Sequence, residues 1–197
     1  MSTENLEKLI KDHKIEFIDL RFTDMRGVQH HVTFPKSIIE PGLFEDGKMF
    51  DGSSIVGWRG IQQSDMVLLP DASTAFLDPF TADPTLVLIC DILDPTTMQG
   101  YSRDPRGIAK RAEAFLKSSG VADTAFFGPE PEFFIFDSVG FANEMGHTFF
   151  HVDSEEAHWN SATEYAGGNT GYRPMVKGGY FPVGPLGSLH DLRAGMG

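Results

Sequence analysis

Cysteine is almost missing. Cys90 stands alone among 197 residues, so no intrachain disulfide framework braces this fold, and a reducing compartment is the simplest setting. That thiol sits inside the apolar run LVLICDI and reads as a small buried hydrophobe. Positive charge is scarce as well. Lys and Arg number 16 against 28 Asp and Glu, giving a formal net charge of −12. This argues against nucleic-acid phosphates or an anionic membrane surface as the main partner and is compatible with cations and with solubility. No apolar run approaches the ~20 residues of a membrane-spanning helix. The opening MSTENLEKLIKDHK lacks the apolar core of a secretory signal, so a cytoplasmic location is expected. Internal repeats and low-complexity tails are absent too. What remains is a globular composition, 41% hydrophobic and 22% charged, sufficient for one large domain or two modest ones.

What is present reads as α+β. Leu6, Leu9, Ile10 and His13 follow helical spacing behind Ser2 and Thr3, which predicts a short opening helix. IEFIDLRFTD, the turn DMRG and VQHHVTFP read as a β-hairpin. Turn residues cluster over 78–84, and a strong strand is expected over 86–92. The clearest punctuation lies in YSRDPRGIAKRAEAFLKSSG: Asp104 as N-cap, Pro105 at the first helical position, Gly120 at the close. Ile108, Ala112, Phe115 and Leu116 make one stripe, so this helix is expected to pack on a sheet. A domain boundary is placed near Tyr101, dividing the chain into 1–101 and 102–197. Beyond it we expect a strand over 126–138, a short amphipathic helix in DSEEAHWNSATEY, a Gly/Pro-rich stretch over 166–187, and a helix starting in SLHDLRAGMG.

The sequence FFGPEPEFFIFDS poses a physical problem. In a strand, Glu130 and Glu132 share one face with Cα atoms about 6.8 Å apart. At an effective dielectric of about 20 their charges repel by roughly 2–3 kcal/mol, and apolar neighbours add a desolvation cost. A shared proton, a cation or plain exposure relieves this. Pro129 and Pro131 donate no ladder hydrogen bonds, so this end of the strand lies at an edge or a mouth. An exposed edge is one reading. A glycosidase-like acid pair is another, but those carboxylates flank a sugar bond from opposite sides. Hard divalent cations such as Mg²⁺ fit better, because they take oxygen ligands beside substrate phosphates.

Other candidates are less specific. KMFDGSSIVGW sets Asp51, Gly52, Ser53 and Ser54 on a tight loop. There Asp accepts a backbone N–H and Gly takes a positive φ, or the carboxylate and hydroxyls recognise an ammonium or phosphoryl group. GGNTGYRPMVKGGYFPVGP lacks phosphate-loop spacing; it is a connector, or a backbone close to a ligand with Lys177 and Tyr180 as polar tips. His147 and His151 have ligand spacing only if helical, and the intervening TFF favours a strand, which separates them by about 13 Å. His30 and His31 face opposite ways on a strand and indicate nothing.

RFTDMRG, KMFDGSSIVGWRGIQQSDMVLLPD, DPF, CDI, GYSRDPRGIAKRAE, FGPEPEFFIFD and VKGGYFPV, in this order and spacing, resemble bacterial type I glutamine synthetase. The resemblance runs from the first helix to about Pro182. F-D-G-S-S followed by Ser64 and Asp65 is its most specific part. It implies an N-terminal β-grasp domain and the opening of the catalytic α+β domain, less than half of a full-length enzyme. The implied reaction is ATP-dependent ligation of ammonium to L-glutamate through γ-glutamyl phosphate, with Mg²⁺ or Mn²⁺. By position, Glu130 resembles the ligand of the metal that holds the nucleotide phosphates. Glu132 resembles the ligand of the metal nearer glutamate. Asp51, Ser54 and Tyr180 resemble the ammonium pocket, with Asp51 acting across a subunit boundary in a twelve-subunit ring. Family motifs downstream of Pro182 are not in these residues, so the chain alone is expected to be inactive. The alternative is a non-catalytic fragment that binds metal weakly or co-assembles with full-length subunits.

Overall fold

Leu6, Leu9 and Ile10 line the inner stripe of α1 (Thr3–Asp12) in the computed structural model, with Leu6 fully buried. The structure describes residues 3–40, 42–160, 164 and 173–196. Two compact units are present, Met1–Phe127 and Gly128–Gly197.

In the first unit, β1 (Phe17–Thr23) and β2 (Gln29–Pro35) form the expected antiparallel hairpin, with Phe22 opposite His30 and Arg21 opposite His31. A short α2 (Leu43–Asp46) leads into β3 (Lys48–Asp51). Next come β4 (Asp65–Leu77) and β5 (Thr85–Leu93), antiparallel to each other. The sheet order is β2-β1-β5-β4-β3, and the central β1–β5 pair is parallel. This mixed sheet with helices against one face is the β-grasp arrangement. Alternation explains its two sides. Ile18, Leu20 and Phe22 join Met66, Leu68, Leu86, Leu88 and Ile92 in the core, whereas Asp19 and Arg21 point the other way and pair with each other. Cys90 is buried in that core, as expected. Register slips between Asp71 and Phe76 of β4. There the Ile89 N–H donates to Thr74 Oγ1 at 2.9 Å, so a side chain replaces a ladder acceptor.

α3 (Pro105–Ser119) has the ends its sequence announced. Asp104 accepts from the Arg106 and Gly107 amides at 3.0 and 3.1 Å, and Gly120 is left-handed at φ 71°. The stripe is another matter. Ile108 is 43% and Phe115 73% exposed, so the apolar face expected to pack on a sheet finds no cover among the described residues.

In the second unit, β6 (Ser138–Glu144) and β7 (His147–Asp153) form a hairpin. His147 and His151 therefore lie on a strand, as expected. The strand expected over 126–138 does not form: residues 121–137 lie outside regular structure. Prolines 129 and 131 withhold two donors, and no partner strand is present among the described residues to reward an extended chain. The amphipathic helix expected after β7 is reduced to one 3₁₀ turn, His158–Asn160. Its continuation over 161–163 and 165, like residues 166–172 of the glycine-rich stretch, lies outside the described residues. α4 (His190–Met196) forms where a helix start was read.

Candidate functional site

Asp51 closes β3 and caps a single 3₁₀ turn, Gly52–Ser54. Its Oδ1 accepts from the Ser53 amide at 2.8 Å and the Ser53 hydroxyl at 2.5 Å; its Oδ2 accepts from the Ser54 hydroxyl at 3.4 Å. The Ser53 hydroxyl, then the Ser53 amide, hold the Asp51 carboxyl below its ordinary range. The side chain remains exposed. Three donors thus keep a solvent-facing carboxylate ionised and oriented. Ser53, which the sequence alone does not separate from Ser54, makes the closer contacts.

Gly52 fixes where this turn sits, for a reason other than the one expected. Its φ is not positive; instead, a Cβ here would lie 2.2 Å from Met66 Sδ and 3.1 Å from the Ser64 carbonyl oxygen. The Gly52 amide donates to that carbonyl at 2.7 Å. Only a residue without a side chain lets β3 turn so close over β4.

Beside the turn, Phe22, His30, Phe50, Asp51, Ser54 and Ile55 line a cleft of about 380 Å³. His30 stacks on Phe22 at 5.4 Å, and its Nε2 lies 3.1 Å from Oδ2 of buried Asp24. Burial alone raises the Asp24 carboxyl, but hydrogen bonds from His30, Arg26 and the Val28 amide reverse this and hold it far below the usual range. His31 turns to the other face, with Nδ1 2.7 Å from Asp19 Oδ1. The histidine pair, uninformative in sequence, supports two buried carboxylates. The residue separation that brings His30 over the D-M-R-G turn was the available signal.

Glu130, Glu132 and Tyr180 belong to the second unit. Both glutamates are exposed, amid Phe126, Phe127, Phe133 and Phe134 at 93%, 90%, 59% and 62% exposure. Water therefore relieves their repulsion in this structure. As a donor set they fit Mg²⁺ or Mn²⁺ in kind, both being hard carboxylate oxygens, and supply two of the roughly six ligands an octahedral ion takes. Among the described residues no cluster of three or more His, Cys, Asp or Glu completes such a set. Tyr180 is 81% exposed, its ring 4.8 Å from that of Phe181.

Two family models match: glutamine synthetase, beta-grasp domain, over residues 14–95, and glutamine synthetase, catalytic domain, over 102–197. The chain is 60% identical over 196 residues to glutamine synthetase of Methylococcus capsulatus and 57% identical to that of Escherichia coli. In each case all of this chain aligns with 42% of the relative, so it spans less than half the length of these curated relatives. Among solved structures, the cryo-EM Plasmodium falciparum glutamine synthetase superposes with a TM-score of 0.74 at 25% identity, covering 100% of this chain and 39% of that one.

Proposed function

The chain belongs to the glutamine synthetase family, and from that premise we propose that it is part of a longer ATP-dependent glutamate–ammonia ligase. The γ-carboxylate of L-glutamate attacks the terminal phosphorus of ATP, giving γ-glutamyl phosphate and ADP. Ammonia then adds to the acyl carbon and phosphate leaves, giving glutamine. The observation that carries this reading is the Asp51 turn. Ammonium has no lone pair until it loses a proton, so it must first be concentrated and then deprotonated. A carboxylate kept ionised by Ser53 is well suited to the first task and weakly basic for the second. Asp51 therefore contributes mainly attraction and orientation, with Ser54 and Tyr180 as its companions.

Glu130 and Glu132 serve the phosphoryl half. A divalent cation held there neutralises phosphate charge, which is most of what phosphoryl transfer requires. We place the domain boundary near Tyr101, supported by the gap between the two matched segments, 14–95 and 102–197. The working enzyme is read as a cytoplasmic homo-oligomer, a dodecamer, with Asp51 serving a neighbouring subunit. Among the described residues no helix is long and apolar enough to cross a membrane. The exposed phenylalanines of residues 126–150 favour a second reading for these 197 residues alone: a non-catalytic piece that binds metal weakly and co-assembles with longer subunits.

Ammonium saturation tests the Asp51 role. In the full-length enzyme, Asp51→Asn keeps the turn's shape and removes its charge, and is expected to raise the ammonium KM at least about tenfold, while the glutamate and ATP constants stay near wild type. An unchanged ammonium KM would remove Asp51 from the pocket.

A further inference from the structure

Between the Asp51 turn and β4 the only regular element is one 3₁₀ turn, Ile61–Gln63, yet this loop is held at two places. At the front, the Gly52 amide is bonded to the Ser64 carbonyl at 2.7 Å. Further along, three residues of the segment 94–104 hold it: Asp94, Tyr101 and Arg103. Arg103 Nη1 donates to the carbonyl oxygens of Gly57 and Trp58, the latter at 3.2 Å. Arg59 pairs with Asp94 and lies over Tyr101, its Cζ 5.4 Å from the ring centroid. The Trp58 ring packs edge-on against Tyr101 at 5.5 Å and meets Phe22 at 5.5 Å.

The segment supplying these contacts is itself fixed to β5. The Tyr101 amide donates to the Ile92 carbonyl at 2.7 Å, and the Ile92 amide donates to Asp104 Oδ2 at 3.2 Å. Gly57 has φ +83° in a turn closed by the Trp58 amide and the Ile55 carbonyl at 3.1 Å. The Gly57 and Trp58 carbonyls have no strand partner, and one guanidinium satisfies both. Arg103 is exposed, and an exposed polar contact contributes little to global stability. Among the described residues its side-chain bonds go only to this loop.

We propose that Arg103 is a positioning residue for Asp51: by gripping the Gly57 and Trp58 carbonyls it holds the loop in the conformation that presents the Asp51 carboxylate and the Ser54 hydroxyl to the cleft. This rests on the reading of Asp51 as the ammonium anchor. Orientation is where such a residue matters, since a misplacement of about 1 Å far from the chemistry costs as much as about 10²-fold. Arg103 touches no reacting group; it acts through the loop.

The test compares Arg103→Gln, Arg103→Lys and Asp51→Asn in the full-length enzyme. It measures ammonium saturation, acyl-phosphate formation from ATP and glutamate, and amide hydrogen exchange over residues 52–60. Arg103→Gln is expected to raise the ammonium KM roughly 10- to 100-fold, to leave acyl-phosphate formation within about twofold, and to speed exchange at the Trp58 amide. Arg103→Lys is expected to recover part of the loss, because an ammonium keeps the charge and enough N–H donors for both carbonyls but not the guanidinium's rigid placement of them. A lowered Tm or faster exchange with an unchanged ammonium KM overturns the proposal and leaves Arg103 a structural contact. If Arg103→Gln does not fold, Arg103→Lys decides: an intermediate KM supports positioning, and a wild-type KM overturns it. An unchanged KM in Asp51→Asn defeats the ammonium reading itself. A raised KM there with none in Arg103→Gln defeats only the positioning role.

Discussion

Asp24 and Asp51 both ionise more readily than a free aspartate, by different routes. Asp51 is exposed and depends on the Ser53 hydroxyl and amide. Asp24 is fully buried and depends on donors that outweigh its desolvation: the Arg26 and Val28 amides at 2.8 and 3.0 Å, with Arg26 and His30 side chains. Linkage gives the sign. A depressed carboxyl contributes stability above the unfolded value of about 3.9, and that contribution is lost as pH falls toward the lower folded value. Wild type and Asp24→Asn are therefore expected to differ most in urea midpoint near neutral pH and to converge as pH falls below about 4. Parallel midpoints across that window would assign the Asp24 effect to packing rather than charge. At this scale the sequence was partly legible. Asp51 announces itself by following an aromatic and preceding G-S-S, a local pattern. Arg103 does not, because its partners Gly57 and Trp58 lie 46 and 45 residues away, and no local spacing encodes such a contact.

Elements were legible where their determinants are local. α3 begins and ends as its cap residues require, because N-cap and C-cap bonds span only a few residues. The β1–β2 hairpin was likewise written in alternation and turn residues. The strand through Glu130 and Glu132 was not, because a strand needs a partner and apolar composition does not supply one. Nor did the α3 stripe reveal what covers it. β3 offers an element-level test. Gly52→Ala would press a methyl group on Met66, which is fully buried and cannot move freely. It is expected to cost about 1–3 kcal/mol of stability, as overpacking does. Met66→Ala alone costs about 2–5 kcal/mol through its cavity. The double variant is expected to be less destabilised than the sum by at least about 0.5 kcal/mol, since the new methyl occupies space the thioether leaves. Strict additivity in urea unfolding would show that Met66 is not what confines the turn.

At the scale of the molecule, the two units differ in where the buried apolar residues lie: among the described residues, glycine and proline aside, all of them except Ala157 belong to the first unit. The first has a closed core under its five-stranded sheet. The second leaves Phe141, Phe150 and Phe181 exposed at 75%, 81% and 90%, surface of a kind that promotes association. The residues proposed for the two half-reactions divide in the same way, Asp51 in the first unit and Glu130 in the second. Ammonium capture and glutamate activation should therefore be separable by mutation. Positional isotope exchange, with ATP labelled at its β,γ-bridge oxygen and glutamate present but no ammonium, measures reversible acyl-phosphate formation alone. In the full-length enzyme, Asp51→Asn is expected to keep this exchange near the wild-type rate while glutamine formation at subsaturating ammonium falls at least about tenfold; Glu130→Gln is expected to lose both. Equal loss of exchange and glutamine formation in Asp51→Asn would contradict the division of labour between the turn and the paired glutamates.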